Sequence, residues 1–155
     1  MTSELEPVWK QFAETYAALR EALAEVPDAR LSWKPGPATN GVDGIVQHVI
    51  RGNTVYANFM ERGERGAVGE PEANPSRQSL LARLDESEQR VREQFERMTS
   101  ETVRQVRAPR WQPLGPEAEG PHDALWFAMQ MVRHTAYHLG QVNLYLLIWE
   151  GEGRA

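Results

Sequence analysis

Cysteine is absent from all 155 residues, so no disulfide framework or thiolate metal site can form, and any thiol chemistry must come from an outside molecule. An excess of positive charge is missing as well. Lys and Arg number 17 against 22 Asp and Glu, a formal net charge of −5. The basic residues form no stripe of the kind that tracks a nucleic-acid backbone. The run containing Arg104, Arg107 and Arg110 is broken by Val106, Ala108 and Pro109 and reads as a solvated linker. No apolar run approaches the ~20 residues that cross a bilayer. The acidic N-terminal stretch lacks a signal-peptide pattern. The expectation is a soluble, cytoplasmic protein with no nucleic-acid or membrane partner.

What is present is a globular balance of 41% hydrophobic and 25% charged residues, read as one domain spanning 1–155. Leu5, Val8, Trp9, Phe12, Tyr16, Leu19 and Leu23 recur at three- and four-residue steps, one stripe of a helix that ends at Pro27. Its start is set either by a Ser3–Glu6 capping box or by Pro7 as the first helical residue. A second stripe, Ile45, Val49, Tyr56 and Phe59, also carries His48 and Gly52, with Thr39 or Asn40 as its cap. A third helix, opened by Asn74 and Pro75, carries Leu80, Leu81, Leu84, Val91, Phe95 and Met98. Residues 101–120 show no helical period and hold three prolines and two glycines, a long connection of the kind often used as a lid or crossover. The last helix opens at Pro121 and Asp123 and runs to about Trp149, stopping before Gly151. It is apolar on more than one face, as expected of a helix buried in a core or pressed against a partner chain. Four helices and no convincing strand predict an all-α four-helix bundle with a long connection between helices 3 and 4.

The chemistry is concentrated in histidine. His134 and His138 are four residues apart, a spacing that stacks two imidazoles on one face where both can reach a single ion. Gln130 and Gln141 share that face among Phe127, Met131, Val142 and Tyr145, and buried polar groups need partners. His48 stands in the same predicament on the second helix. From spacing alone, these imidazoles read equally as metal ligands and as core histidines bonded to backbone or glutamine. His122, beside Pro121, reads as a surface residue rather than a fourth ligand. Thr135 follows His134, so the glutamate base of a zinc protease is absent, and there is no nucleophile elbow or phosphate-binding glycine loop. Helical phase offers Tyr56, Gln130, Tyr137 and Gln141 as pocket walls, with Trp33 in a loop able to cover the site, while Arg51 and Arg133 read either as contacts for an acidic substrate or, as is usual on helix flanks, as solvated.

Three segments taken together, Trp33-Lys34-Pro35, Ile45-Val46-Gln47-His48-Val49 and His134-Thr135-Ala136-Tyr137-His138-Leu139-Gly140-Gln141, closely resemble the DinB-like (DinB/YfiT) superfamily. The resemblance covers nearly the whole chain. It implies a four-helix bundle, frequently a homodimer, with one divalent ion held by His48, His134 and His138. Zinc, nickel and iron all accept imidazole, so the ion is left open. Members resemble metal-dependent transferases of small thiols, isomerases that use them, or hydrolases. Two activities are therefore expected as alternatives, thiol S-transfer and hydrolysis of small molecules, with Tyr56 and Gln141 as candidate catalytic residues. A non-catalytic metal-binding or dimerisation module is the third alternative.

Overall fold

The computed structural model of the chain describes residues 1–108 and 121–152. Four long helices, α1 (Glu6–Glu25), α2 (Val42–Arg62), α3 (Arg77–Arg97) and α5 (Ala124–Glu152), pack as an all-α bundle. Two small elements, a helical turn α4 (Ser100–Val103) and the strand β1 (Val106–Ala108), follow α3, and a strand β2 (His122–Asp123) precedes α5.

The stripes account for the packing. Leu5, Phe12, Tyr16, Leu19 and Leu23 of the α1 series are fully buried and meet Leu80, Leu84 and Phe95 of α3 and Phe127 and Met131 of α5 in one core. Each such side chain contributes about 1.5–3 kcal/mol by leaving water. Pro7 sits in the first turn of α1, and the Ser3–Glu6 capping box does not form; Leu5 occupies the cap.

The helix entries differ from expectation where a polar residue is committed elsewhere. The Thr39 hydroxyl closes its own turn, accepting from Gly36 N and donating to Gly36 O, so neither it nor Asn40 caps α2. Gly41 takes that place. A Cβ on Gly41 would meet Leu31 O at 2.8 Å, so only glycine lets the preceding loop lie this close. Asn74 adopts a positive φ of 52° in the turn before α3, and Ser76 caps the helix by accepting from Ser79 N at 3.1 Å. Asp123 opens α5 as expected, accepting from Trp126 N at 2.8 Å, but α5 continues through Gly151 to Glu152.

The stretch after α3 is more structured than its composition suggests. Thr99 and Thr102 form a reciprocal capping box around α4, with threonine in place of the usual glutamate. β1 and β2 pair antiparallel with an irregularity between Val106 and Ala108. Strands this short carry no alternation to read. Arg104 is not a free linker residue: it is ion-paired with Glu4 and reaches Asp123. Arg110 and most of the long connection, 109–120, lie outside the described residues.

One buried polar network ties the four long helices together. Asn53 on α2 donates through Nδ2 to Tyr16 OH on α1 at 3.1 Å and to Thr135 Oγ1 on α5 at 2.9 Å. Tyr16 OH pairs with Ser87 Oγ on α3 at 3.0 Å, and Thr135 donates to Met131 O. Asn53 and Thr135 are fully buried, so these bonds hold α2 and α5 in one register.

Candidate metal centre

Directly beside that network, α2 and α5 bring His48, His134 and His138 together. Asn53 follows Gly52 and Thr135 precedes Ala136 in the turn that carries His134, so the network sets the register of the residues that make the site. One ligand-capable ring nitrogen from each histidine lies within 4.8 Å of the others. The ring centroids are 5.0 Å apart for His48–His134, 4.8 Å for His48–His138 and 4.6 Å for His134–His138. His134 Nε2 stands 3.2 Å from His48 Nε2. Two nitrogens each about 2.0 Å from one tetrahedral ion would be about 3.3 Å apart, a separation this pair matches, as it also matches an N–H···N hydrogen bond.

The protonation states suit ligation. Burial, followed by the neighbouring His138 and His48, pushes His134 down to about 3. His48 is lowered by partial burial and then by the Arg51 guanidinium. His138 is lowered by burial, against the raising effect of its Gln141 hydrogen bond. All three are neutral imidazoles at pH 7, and each keeps a lone pair. The His138 Nδ1–H donates to Gln141 Oε1 at 2.6 Å, which fixes the tautomer and leaves Nε2 as the acceptor. His134 Nδ1 is buried with no partner among the described residues. Three neutral nitrogens without a carboxylate or thiolate fit a divalent ion of the imidazole-accepting kind.

Gly52 makes room for this arrangement. A Cβ there would stand 2.4 Å from His134 Cε1 and 3.0 Å from its Nε2, so the imidazole occupies the space a side chain would fill. Gly52 lies one turn beyond His48 on the same face of α2, and its helical stripe alone does not show this steric role.

The other predicted site residues divide. Tyr56 is buried with its ring 5.6 Å from His134, and Tyr137, 65% exposed, stands edge-on 5.0 Å from His138. Gln141 Nε2 reaches the Tyr137 hydroxyl at 3.5 Å. Gln130 is buried, but no hydrogen bond or ring contact links it to the histidines among the described residues. Trp33 does not cover the site. It packs edge-on against Tyr145 and Trp149, further along α5. His48, expected on a buried stripe, is exposed, which opens the cluster to solvent on the α2 side. His122 is buried rather than superficial: pairing in β2 turns it inward, where it stacks on Trp126 at 3.9 Å.

A family model for the DinB superfamily matches residues 11–142, a span holding all three histidines. The chain belongs to the DinB superfamily. Its fold is similar to the crystal structure of a conserved protein from Enterococcus faecalis, with a TM-score of 0.70 and 15% identity over 93% of this chain and 95% of that one. At that identity the likeness speaks for the fold alone. A comparison with curated proteins finds no match. Within the DinB superfamily frame, the histidine late in α5, the glutamine three residues on and the histidine on α2 form one contiguous constellation here.

Proposed function

We propose that this chain binds one divalent ion, zinc, nickel or iron, through His48, His134 and His138 and acts on small molecules as a thiol S-transferase. The observation that carries this reading is the convergence of three neutral imidazoles with a 3.2 Å nitrogen pair at an edge open to solvent. Three ligands and an open side are the pattern of catalytic rather than structural sites. A bound ion would supply Lewis acidity and lower the pKa of a thiol or a water. With no cysteine in the chain, the thiol is a low-molecular-weight cosubstrate. In the transfer, its sulfur forms a bond to an electrophilic carbon, the carbon's leaving group departs, and the thiol proton goes to solvent.

The chain's own residues then orient and donate. Burial raises the Tyr56 phenol above its ordinary value, so it stays protonated and is a hydrogen-bond donor beside His134. Gln141 holds His138 in its ligating tautomer. Hydrolysis is the second reading, favoured by the exposure of His48, which admits water to the same ligands.

The partner and compartment readings rest on surface chemistry. Met129, Leu144 and Leu147 are exposed apolar residues along the outer face of α5, a surface suited to a second copy of the chain, and the proposed assembly is a homodimer. Among the described residues no helix is long and apolar enough to cross a membrane. The absence of cysteine supports the cytoplasm as the proposed compartment.

The test is a panel of small thiols with an electrophilic acceptor, run beside ester and amide substrates. Metal-dependent conjugation that Tyr56→Phe slows while metal stays bound is the expected result. Ester turnover without any thiol would select the hydrolase. Inactivity on both panels with metal present would leave a non-catalytic metal-binding module.

A further inference from the structure

Most arginines among the described residues are ion-paired with carboxylates, within α3, between α3 and α1, α2 or the loops that precede α2 and α3, and with Glu4 and Glu152 near the chain ends. Arg51, Arg62, Arg65, Arg107 and Arg133 have no carboxylate partner among the described residues, and of these Arg51 and Arg133 are the two that neighbour the histidines along their helices. Arg51 follows His48 by three residues on α2, which places the two side chains on neighbouring positions of one helix face. Arg133 precedes His134 and lies one turn before Tyr137, whose ring touches His138. Arg51 Nε is moreover buried with no hydrogen-bond partner among the described residues, a donor already stripped of water.

The charge balance around the cluster is one-sided. Among the described residues the cluster includes no carboxylate, and two arginines neighbour its histidines along α2 and α5. A divalent ion would add positive charge with no carboxylate among its three histidine ligands. Guanidinium groups are forks matched to the oxygens of carboxylate and phosphate.

We propose that Arg51 and Arg133 form an anion-recognition pair at the rim of the histidine cluster, so that the small molecule taken by the site carries a carboxylate or phosphate group. This deepens the functional reading above and rests on it for the location of the reacting centre. The pair would seat the anionic group on the open, His48 side, leaving the rest of the molecule directed at the imidazoles.

Calorimetric titration of the full-length protein with succinate, with inorganic phosphate and with the neutral diamide of succinate tests the proposal, on metal-free and metal-loaded samples. Succinate or phosphate should bind, the diamide should bind at least about tenfold more weakly, and the affinity should fall as salt is raised. The preferred anion identifies the group as carboxylate or phosphate. Arg51→Gln and Arg133→Gln should each weaken anion binding several-fold and together by more than about tenfold, with thermal stability and metal content retained. Arg51→Lys and Arg133→Lys, which keep the charge without the fork, should recover part of the loss. Anion affinity unchanged in the double glutamine variant, or diamide binding equal to succinate, overturns the proposal. The arginine dependence is expected with and without metal. Failure to bind metal would therefore sink the metal reading while leaving this result to be judged by itself.

Discussion

A Cβ on Gly52 would lie 2.4 Å from Cε1 of His134, closer than any two such atoms can stand. The backbone of α2 and the imidazole of α5 thus share one space, and the ligand set depends on the absence of a side chain 82 residues away in sequence. Gly52→Ala is expected to push His134 off its position and weaken metal binding by at least about tenfold, with overpacking costing about 1–3 kcal/mol of stability. Gly140 is the control, because a Cβ there meets nothing within 4 Å. Gly140→Ala should leave affinity intact and stabilise α5 by up to about 1 kcal/mol. Competition with a chromophoric chelator measures both variants, and equal affinities for the two would show that the contact is immaterial.

The polar network predicts a coupling across the bundle. Thr135→Val keeps the shape of the side chain but removes the acceptor of the Asn53 amide, and should cost about 1–3 kcal/mol. Asn53→Ala removes the donor to both Tyr16 and Thr135, which keep only their bonds to Ser87 and Met131, and should cost at least as much. In urea unfolding, the double variant should be less destabilised than the sum of the single ones, because both remove the same bond. Strict additivity would mean the two residues do not interact.

Acid sensitivity follows from the neutral imidazoles. His134 is held at about 3 in the fold, against about 6.5 for an unperturbed histidine. The unfolded chain therefore takes up the proton first. The contribution of neutral His134 is complete above about pH 6.5 and is lost progressively as pH falls toward about 3, by at most ~1.4 kcal/mol per pH unit. His48 and His138 are shifted in the same direction and add to the slope. Metal-free wild type should thus lose stability between pH 6.5 and 4 more steeply than His134→Gln, which has no such group to titrate. Parallel stability–pH curves for the two would contradict the buried neutral state.

The helices were legible in the sequence because their information is local: the steps from Leu5 to Leu23, or from Leu80 to Met98, repeat within a single element. The His134–His138 pair was legible for the same reason. His48 joined it through its place on the apolar stripe of the second helix and, more firmly, through the resemblance of whole segments to a family, since 86 residues separate it from His134. Asn53 met no such pattern. Its partners Tyr16 and Thr135 lie 37 and 82 residues away, and nothing in an amphipathic stripe says which buried amide finds which hydroxyl. The caps failed in a different way. Thr39 and Asn74 are good capping residues by type, but one closes its own turn and the other takes a left-handed backbone. His122 was misjudged because a two-residue strand leaves no periodicity to show which way its side chain turns.

The metal content of protein purified without added metal tests the central claim most directly. Elemental analysis should find about one divalent ion per chain, the stoichiometry of a single three-histidine site. The variant with His48, His134 and His138 all replaced by alanine should hold essentially none while keeping its helical circular dichroism. The same metal content in that variant as in the wild type would contradict the assignment of these histidines as ligands.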